Sequence, residues 1–201
     1  MRKILLTLAA MAIIAVSCQK EVFHIELPRE NEQSDWYTEA SIELENVLGK
    51  VKQSTEIDDA LLIETLLNYT VVPTFCATKE DGTWEPYRKA PGEIGSCGVL
   101  FYEAEVYQYY FKMMEGTLTK SIAYTYNYDT ETNTLNTDSA IHDYTFSCEV
   151  KYFDGSYLIL EGLFAPLDDL YNDNYADYYY LREFKVDKEI RKSLEDGTYT
   201  R

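Results

Sequence analysis

Hydrophobic and polar side chains alternate along residues 119–164. Within residues 121–128 the large side chains fall at every second position: Ile122, Tyr124, Tyr126 and Tyr128. A period of two is typical of a β-strand with one buried face, and here that face is aromatic. The alternation resumes in residues 144–152, and the Asp154-Gly155 pair that follows is a strong hairpin signal. We therefore predict an antiparallel β meander with a tyrosine-lined face.

Further strands are predicted on both sides of the meander. Short runs of β-branched and aromatic residues, separated by turn residues, begin at Tyr69 and end at Lys185. They give about eight strands at a spacing typical of an antiparallel barrel or a sandwich. We predict a mainly β fold in which residues 69–201 form an eight-stranded antiparallel barrel with a short C-terminal tail, and a β-sandwich is the alternative. A closed barrel of this size is just wide enough to hold one small ligand.

Residues 35–68 carry a helical pattern. Four apolar side chains follow the i, i+3, i+4, i+7 spacing of one helix face: Leu44, Val47, Leu48 and Val51. We expect this stripe to pack on the β domain. Ser34 or Asp35 is predicted to begin the first helix and Ser54-Thr55 a second one, because these residue types cap helix N-termini.

The amino terminus has the pattern of a secretory signal. A basic start is followed by an apolar run over residues 4–16, which is shorter than the roughly 20 residues that span a bilayer. We predict a signal peptide at residues 1–17. Ala15-Val-Ser-Cys18 resembles the lipobox of bacterial lipoproteins, which implies cleavage before Cys18 and acylation of that cysteine. Several acyl chains anchor a protein stably to a membrane.

The residues after Cys18 are predicted to form a tether. Residues 18–34 are rich in Glu and contain Pro28, with no sustained periodicity, which is typical of a flexible spacer. Gln19-Lys-Glu21 resembles the short acidic export tag of surface lipoproteins in the Bacteroidota. This resemblance implies display on the outer surface of the cell, and the periplasmic leaflet is the alternative.

The charge of the chain excludes one class of partner. Lys and Arg number 18 against 35 Asp and Glu, which gives a formal net charge of −17. Loss of Arg2 and Lys3 with the signal peptide leaves 16 basic residues, or −19. A surface this negative repels nucleic-acid phosphates, so no nucleic-acid partner is expected.

Two positions in the predicted barrel carry a family resemblance. Gly82-Thr-Trp84 resembles the G-x-W signature of lipocalins, and Arg182 resembles the arginine that packs over that tryptophan. More broadly, residues 69–185 resemble the lipocalin-like (calycin-type) lipoproteins of the Bacteroidota. The resemblance implies a cavity for a small apolar or amphipathic ligand. With the tyrosine faces added, the candidates for lining the cavity or closing the barrel are Trp84, Tyr124, Tyr126, Tyr178, Tyr180 and Arg182. The alternative for the tyrosines is that they fill the core.

Two further covalent features are predicted in the exported domain. Cys76 and Cys97 would close the shortest loop among the three cysteines left after lipidation, so they are the candidate disulfide. Buried thiols are the alternative for Cys76, Cys97 and Cys148 alike. Asp138-Ser-Ala140 resembles the O-glycosylation site of exported Bacteroidota proteins, which makes Ser139 a candidate for modification.

The sequence contains no catalytic constellation that we can assemble. Ser139, His142 and Asp143 have the residue types of a triad, but on one strand His142 and Asp143 would point to opposite faces. The acidic residues 168–174 lack the spacing of a calcium loop. We therefore expect neither an enzyme nor a bound metal or cofactor.

These observations predict a lipoprotein anchored to the outer membrane and exposed at the cell surface. Its expected activity is the binding of a small ligand in the barrel. The alternative is an accessory module of an outer-membrane assembly that binds glycan or protein.

Overall fold

The structure, a computed structural model, describes residues 30–54, 56–87, 95–112, 117–120, 124–139, 145–163 and 179–200. Tyr37–Arg201 form the compact domain, and of Met1–Trp36 the structure describes the start of one helix. The helices are α1 (Glu30–Gln53), α2 (Asp59–Asn68) and α3 (Arg191–Glu195). The strands are β1 (Thr70–Glu80), β2 (Thr83–Pro86), β3 (Gly95–Phe101), β4 (Glu105–Lys112), β5 (Thr117–Lys120), β6 (Tyr124–Asp129), β7 (Thr134–Ser139), β8 (Thr145–Phe153), β9 (Tyr157–Leu163) and β10 (Tyr179–Asp187). Within the described residues, no helix is both long enough and apolar enough to cross a membrane.

The strands close into an antiparallel ring of eight positions. The order is β1, β3, β4, β6, β7, β8, β9 and β10, and β10 pairs back with β1. β5 and β6 pair with successive parts of β4, so together they fill one position of the ring. β2 is an additional strand that pairs with β1. The predicted eight-stranded barrel is confirmed, and the sandwich alternative is wrong because hydrogen bonds join all eight positions into one closed sheet.

The two ends of the barrel are built differently. The end that we call the α2 end holds the start of β1, the end of β10 and the turns of three hairpins. The opposite end, the loop end, holds the end of β1 and the start of β10. The predicted Asp154-Gly155 turn lies at the α2 end, where Asp154 accepts hydrogen bonds from the backbone N–H groups of Ser156 and Tyr157. Gly155 takes a φ of 82°, which favours glycine because it has no Cβ.

The helix α2 closes the α2 end. Leu62 and Leu66 are buried in the cluster of inward side chains contributed by the strands. The Tyr128 hydroxyl, on β6, donates a 2.6 Å hydrogen bond to Asp59 in the first turn of α2. Burial of both leucines and this bond hold the helix across the barrel.

The start of α2 corrects a prediction. Asp58 is the N-cap, and its carboxylate accepts a hydrogen bond from the backbone N–H of Leu61. The predicted start at Ser54-Thr55 is wrong. The backbone of Asp58 is extended, so the helix begins at Asp59. In the helix that starts there, Leu62 and Leu66 both face the barrel interior.

The helix α1 packs against the outside of the barrel. Its predicted apolar stripe is confirmed, because Leu44 and Val47 are buried against outward side chains of β1, β9 and β10, with Leu48 and Val51 beside them. The Tyr37 hydroxyl donates a 2.6 Å hydrogen bond to Glu85 of β2, near the loop end. The helix begins at Glu30, ahead of the predicted caps at Ser34 and Asp35, and ends at Gln53.

The residues after β10 cover the outer face of β3 and β4. Leu194 of α3 is buried in a cluster with Leu100 and Tyr109. The Arg191 guanidinium donates hydrogen bonds to the backbone carbonyls of Tyr69 and Phe101. These contacts fix the C-terminal segment on the barrel wall.

Candidate ligand-binding interior of the barrel

Alternation along each strand separates inward from outward side chains. On β10, Phe184 and Val186 belong to the interior cluster, so Tyr180 and Arg182 share their inward face. The residues between them face outward, and Leu181 among them is covered by α1. The structure thus places two of the predicted site residues, Tyr180 and Arg182, inside the barrel.

The interior changes in character from one end to the other. Near the α2 end the inward side chains are apolar: Val71, Val106, Leu158, Phe184 and Val186. Further along the same strands, toward the loop end, they become polar, phenolic or small: Cys76, Thr78, Gln108, Tyr110, Gly162, Tyr180 and Arg182. The change occurs on four strands, β1, β4, β9 and β10. It therefore divides the interior into an apolar half and a polar half.

The tyrosines of β6 line one wall of the interior. Tyr124, Tyr126 and Tyr128 all pack against the interior cluster. The Tyr126 hydroxyl donates a 2.7 Å hydrogen bond to the backbone carbonyl of Tyr102, and its ring meets that of Phe101 edge to face. Tyr124 and Tyr126, both predicted site residues, are therefore inside the barrel, with the hydroxyl of Tyr126 already bonded to the backbone.

Arg182 brings a positive charge into the polar half. Its guanidinium carbon lies 5.1 Å from the centre of the Tyr180 ring. Burial raises the pKa of the Cys148 thiol to about 12, and the charge of Arg182 opposes this rise. Burial also raises the pKa of Tyr110, reinforced by nearby Tyr124 and opposed by Arg182. At neutral pH the phenols and the thiol are therefore protonated, and the hydroxyls serve as hydrogen-bond donors.

Solvent reaches part of this polar half. Arg182 and Tyr124 remain partly exposed although both face inward. Leu160 and Phe184, deeper in the barrel, are 3% and 5% exposed. Thr78, Gln108, Tyr110 and Tyr180 of the same half are buried, so solvent access is confined to part of the polar half.

Trp84 does not lie in the interior. It pairs with Lys79 across β1 and β2, and both side chains are on the outer surface, where the Lys79 ammonium lies 5.0 Å from the Trp84 ring centre. The indole stacks on Tyr179 at 6.0 Å between ring centres. The contact between Trp84 and Arg182 that the lipocalin resemblance implies is therefore wrong: Arg182 packs over Tyr180 on the other side of the wall.

The predicted disulfide is not formed. Cys76 and Cys97 are both thiols, as is Cys148. β1 pairs with β3 at Thr70 and Val71, and Cys76 lies well beyond this paired segment. Cys97 lies in a bulge of β3 and is buried in the outer cluster beneath α3. The alternative of separate thiols is the one observed.

Three other predicted positions have different outcomes. Cys18 and Tyr178 lie outside the described residues. Ser139 is the last residue of β7, where it pairs with Tyr124, and its glycosylation stays a prediction.

Sequence reasoning missed several residues of the polar half. Gln108 and Tyr110 lie on β4, where Tyr107, Tyr109 and Phe111 intervene, so the apolar pattern there does not distinguish two faces. Gly162 was missed because a lone glycine in a strand gives no sign of its neighbours. A Cβ at this position would lie 2.3 Å from the Ser147 carbonyl oxygen.

Comparison with protein families, with curated proteins and with solved structures finds no match for this chain. The assignment therefore depends on the hydrogen-bonded ring, a closed eight-stranded antiparallel barrel that is compatible with a lipocalin-like fold. Among the described residues, no group of three or more His, Cys, Asp or Glu side chains is arranged to hold a metal ion.

Proposed function

We propose that this protein is a non-enzymatic, lipocalin-like lipoprotein of the bacterial outer membrane, of the kind found in the Bacteroidota, and that its barrel binds one small amphipathic ligand. The observation that carries the proposal is the division of the interior into an apolar half closed by α2 and a polar half in which Arg182 and Tyr124 remain partly exposed. A barrel with a purely structural interior has no need of this division.

The two halves suit the two parts of an amphipathic molecule. The apolar part of the ligand would contact Leu160 and Phe184, where burial of apolar surface stabilises the complex by about 25 cal/mol per Å². The polar part would lie among Tyr110, Tyr124 and Arg182, whose hydroxyls and guanidinium donate hydrogen bonds. A few polar groups that converge in a mostly apolar pocket are typical of small-molecule sites.

Native mass spectrometry of the purified protein tests this proposal. We expect a small molecule to remain bound through purification and to be lost in Thr137→Trp. Thr137 shares the face of buried Leu135 on β7 and is partly exposed, so the larger ring fills the interior. The control is Asn136→Trp, because its side chain points to the opposite face of the same strand. A wild-type protein without any bound molecule, or equal loss in both variants, would contradict the proposal.

The membrane anchor is part of the same proposal. Ala15-Val-Ser-Cys18 supports acylation of Cys18, and Gln19-Lys-Glu21 supports display at the cell surface, with the periplasmic leaflet as the alternative. Labelled palmitate should enter the wild-type protein and not Cys18→Ala. Protease added to intact cells should degrade a surface-displayed protein and spare a periplasmic one.

A second candidate function is glycan binding on the outer wall, as an accessory module. It is supported by the partly exposed Trp84 and Tyr179 rings, which are inclined by 26° to each other. Lys79 and Glu161 lie beside them, 3.9 Å apart, as groups able to bond sugar hydroxyls. Calorimetry with soluble oligosaccharides should then show binding that Tyr179→Ala abolishes and Thr137→Trp retains.

A further inference from the structure

A cleft lies on the outer wall of the barrel, between β5 and the C-terminal segment. Its volume is about 800 Å³, which is within the range of sites that hold small molecules. Among the residues that line it, Tyr109 and Leu194 are buried, and Leu118 and Tyr199 pack beside them while remaining partly exposed. The cleft therefore offers an apolar base to a ligand that has an apolar part.

The two sides of the cleft are held in place by hydrogen bonds. On one side, β5 pairs with β4 at four positions, from Thr117 to Lys120. On the other side, the Tyr102 hydroxyl donates a 3.1 Å hydrogen bond to the Glu195 carboxylate, and the Arg191 guanidinium donates one of 3.0 Å to the same oxygen. Because both sides are fixed before a ligand arrives, binding costs little conformational freedom of the protein.

Opposite charges line the two sides of the cleft. Lys120 lies on β5 and Asp196 directly follows α3, and both side chains are exposed. None of the ion pairs in the described part of the chain includes either residue. The Lys120 ammonium instead lies 4.2 Å from the centre of the Tyr107 ring. Although acidic residues outnumber basic ones by 35 to 18, this ammonium remains available to an anionic group of a ligand.

Asp196 is an ionised carboxylate with acceptor capacity left. The Thr198 hydroxyl and the Thr198 backbone N–H donate hydrogen bonds of 2.6 Å and 3.2 Å to one of its oxygens. These two bonds hold the pKa of Asp196 below its ordinary value of 3.8, so the group is charged at neutral pH. A carboxylate accepts about four hydrogen bonds, which leaves the other oxygen for a cationic group of a ligand.

We propose that this cleft binds a short peptide of two or three residues, with the free carboxylate of the peptide at Lys120 and its free ammonium at Asp196. The apolar side chains of the peptide would contact Leu118 and Tyr199. A zwitterion with an apolar middle satisfies both charges and the apolar base together, whereas a neutral sugar would leave both charges without partners. The cleft is separate from the barrel interior, so this inference does not depend on the proposed function.

Isothermal titration calorimetry of the full chain with the tripeptide alanyl-leucyl-alanine tests the site. We expect the free tripeptide to bind, and its N-acetylated form and its C-terminal amide each to bind about fivefold more weakly, which is the effect of losing one exposed ion pair. Lys120→Met should bind the free acid and the amide equally. Asp196→Asn should bind the free amine and the acetylated form equally. Both side chains are exposed, so the variants should keep the wild-type fold.

Two control variants locate the binding. Lys151→Met removes a lysine from the outer wall of β8, where it pairs with Glu149, and should keep the preferences of the wild type. Thr137→Trp fills the barrel interior and should also retain tripeptide binding. Loss of binding in Thr137→Trp would place the peptide inside the barrel and overturn the proposal.

Three other outcomes would also overturn it. The first is that the wild type does not bind the tripeptide. The second is that the wild type binds the free and both blocked forms equally, because the two charges would then not act on the ligand. The third is binding of maltotriose, in place of the tripeptide, that is unchanged in Lys120→Met and Asp196→Asn, which would identify a glycan site.

Discussion

Lys50 of α1 forms an ion pair with Glu183, an outward-facing residue of β10 whose carboxylate is 2% exposed. The Thr74 hydroxyl donates a 3.0 Å hydrogen bond to the same carboxylate. The Lys50 ammonium also lies 4.0 Å from the centre of the Tyr157 ring. A carboxylate this deeply buried is tolerated because a charged partner and a hydroxyl reach it. The pair therefore fixes the position of α1 along the barrel wall.

Removal of one partner should destabilise the protein. Lys50→Met leaves the Glu183 carboxylate buried without its charged partner and with the hydrogen bond from the Thr74 hydroxyl, so we expect the free energy of unfolding to fall by about 2–3 kcal/mol. The double variant Lys50→Met with Glu183→Leu should recover most of this loss, because no buried charge remains. Urea denaturation of the wild type and both variants measures the difference. Equal stability of the single and double variants would show that the buried charge is not the cause.

Closure of the α2 end by α2 gives a second prediction. Leu62→Ala removes a side chain that is 0% exposed, so we expect a loss of about 2–5 kcal/mol in the free energy of unfolding. Ile63→Ala is the matched control, since Ile63 is 41% exposed, and its cost should stay within about 0.5 kcal/mol. Both follow from denaturation curves. Similar losses in the two variants would mean that α2 does not insert Leu62 into the barrel.

The inward face of a strand could be predicted from the sequence where the opposite face is exposed to solvent. In β6, the polar Thr125 and Asn127 separate the tyrosines, so the inward face was evident. In β4 the apolar residues fall on both faces, because the outer face is covered by Leu194 and Tyr199. Such a cover comes from residues far along the chain. No local pattern reveals it.

The errors at Trp84 and Asp58 have a similar origin. The G-x-W motif does not specify on which side of the barrel wall the tryptophan lies. The pairing of Trp84 with Lys79 places it outside, and this pairing exists only in the folded sheet. Ser54, Thr55 and Asp58 are all good helix caps. The choice among them was made by packing of the apolar face of α2 inside the barrel.

The buried phenols predict a loss of stability at alkaline pH. Burial raises the pKa of Tyr110, Tyr124, Tyr126 and Tyr128 above the ordinary value of 10.0. Above that pH the unfolded chain gives up protons that the folded protein keeps, so stability is full below about pH 10 and falls as the pH rises further. Urea denaturation at several pH values measures the decline. Phenolate absorbance of the native protein should lag behind that of the unfolded chain, and coincident titrations would contradict the buried positions.

The Tyr128 hydroxyl allows a sharper version of this test. Its pKa is raised by burial and then by the hydrogen bond to Asp59. Tyr128→Phe should lower the free energy of unfolding at neutral pH by about 1–3 kcal/mol, because the Asp59 carboxylate loses a donor. It should also make the alkaline decline less steep, since one of the phenols with a raised pKa is gone. A variant with an unchanged alkaline decline would show that Tyr128 does not contribute to it.

The three thiols should differ in reactivity. In a Cys18→Ser background, we expect a maleimide to modify Cys76 first, because Cys76 is the partly exposed one of the three. Cys97 and Cys148 are each 4% exposed, and the raised pKa of Cys148 leaves little thiolate, the reactive form. Mass spectrometry of the native protein over time should therefore show one fast adduct, absent in Cys76→Ser, with two more after denaturation. A fast reaction at Cys148 would mean that the interior is open more widely than its burial indicates. A native chain lighter by two protons, with no fast adduct, would instead support the predicted disulfide between Cys76 and Cys97.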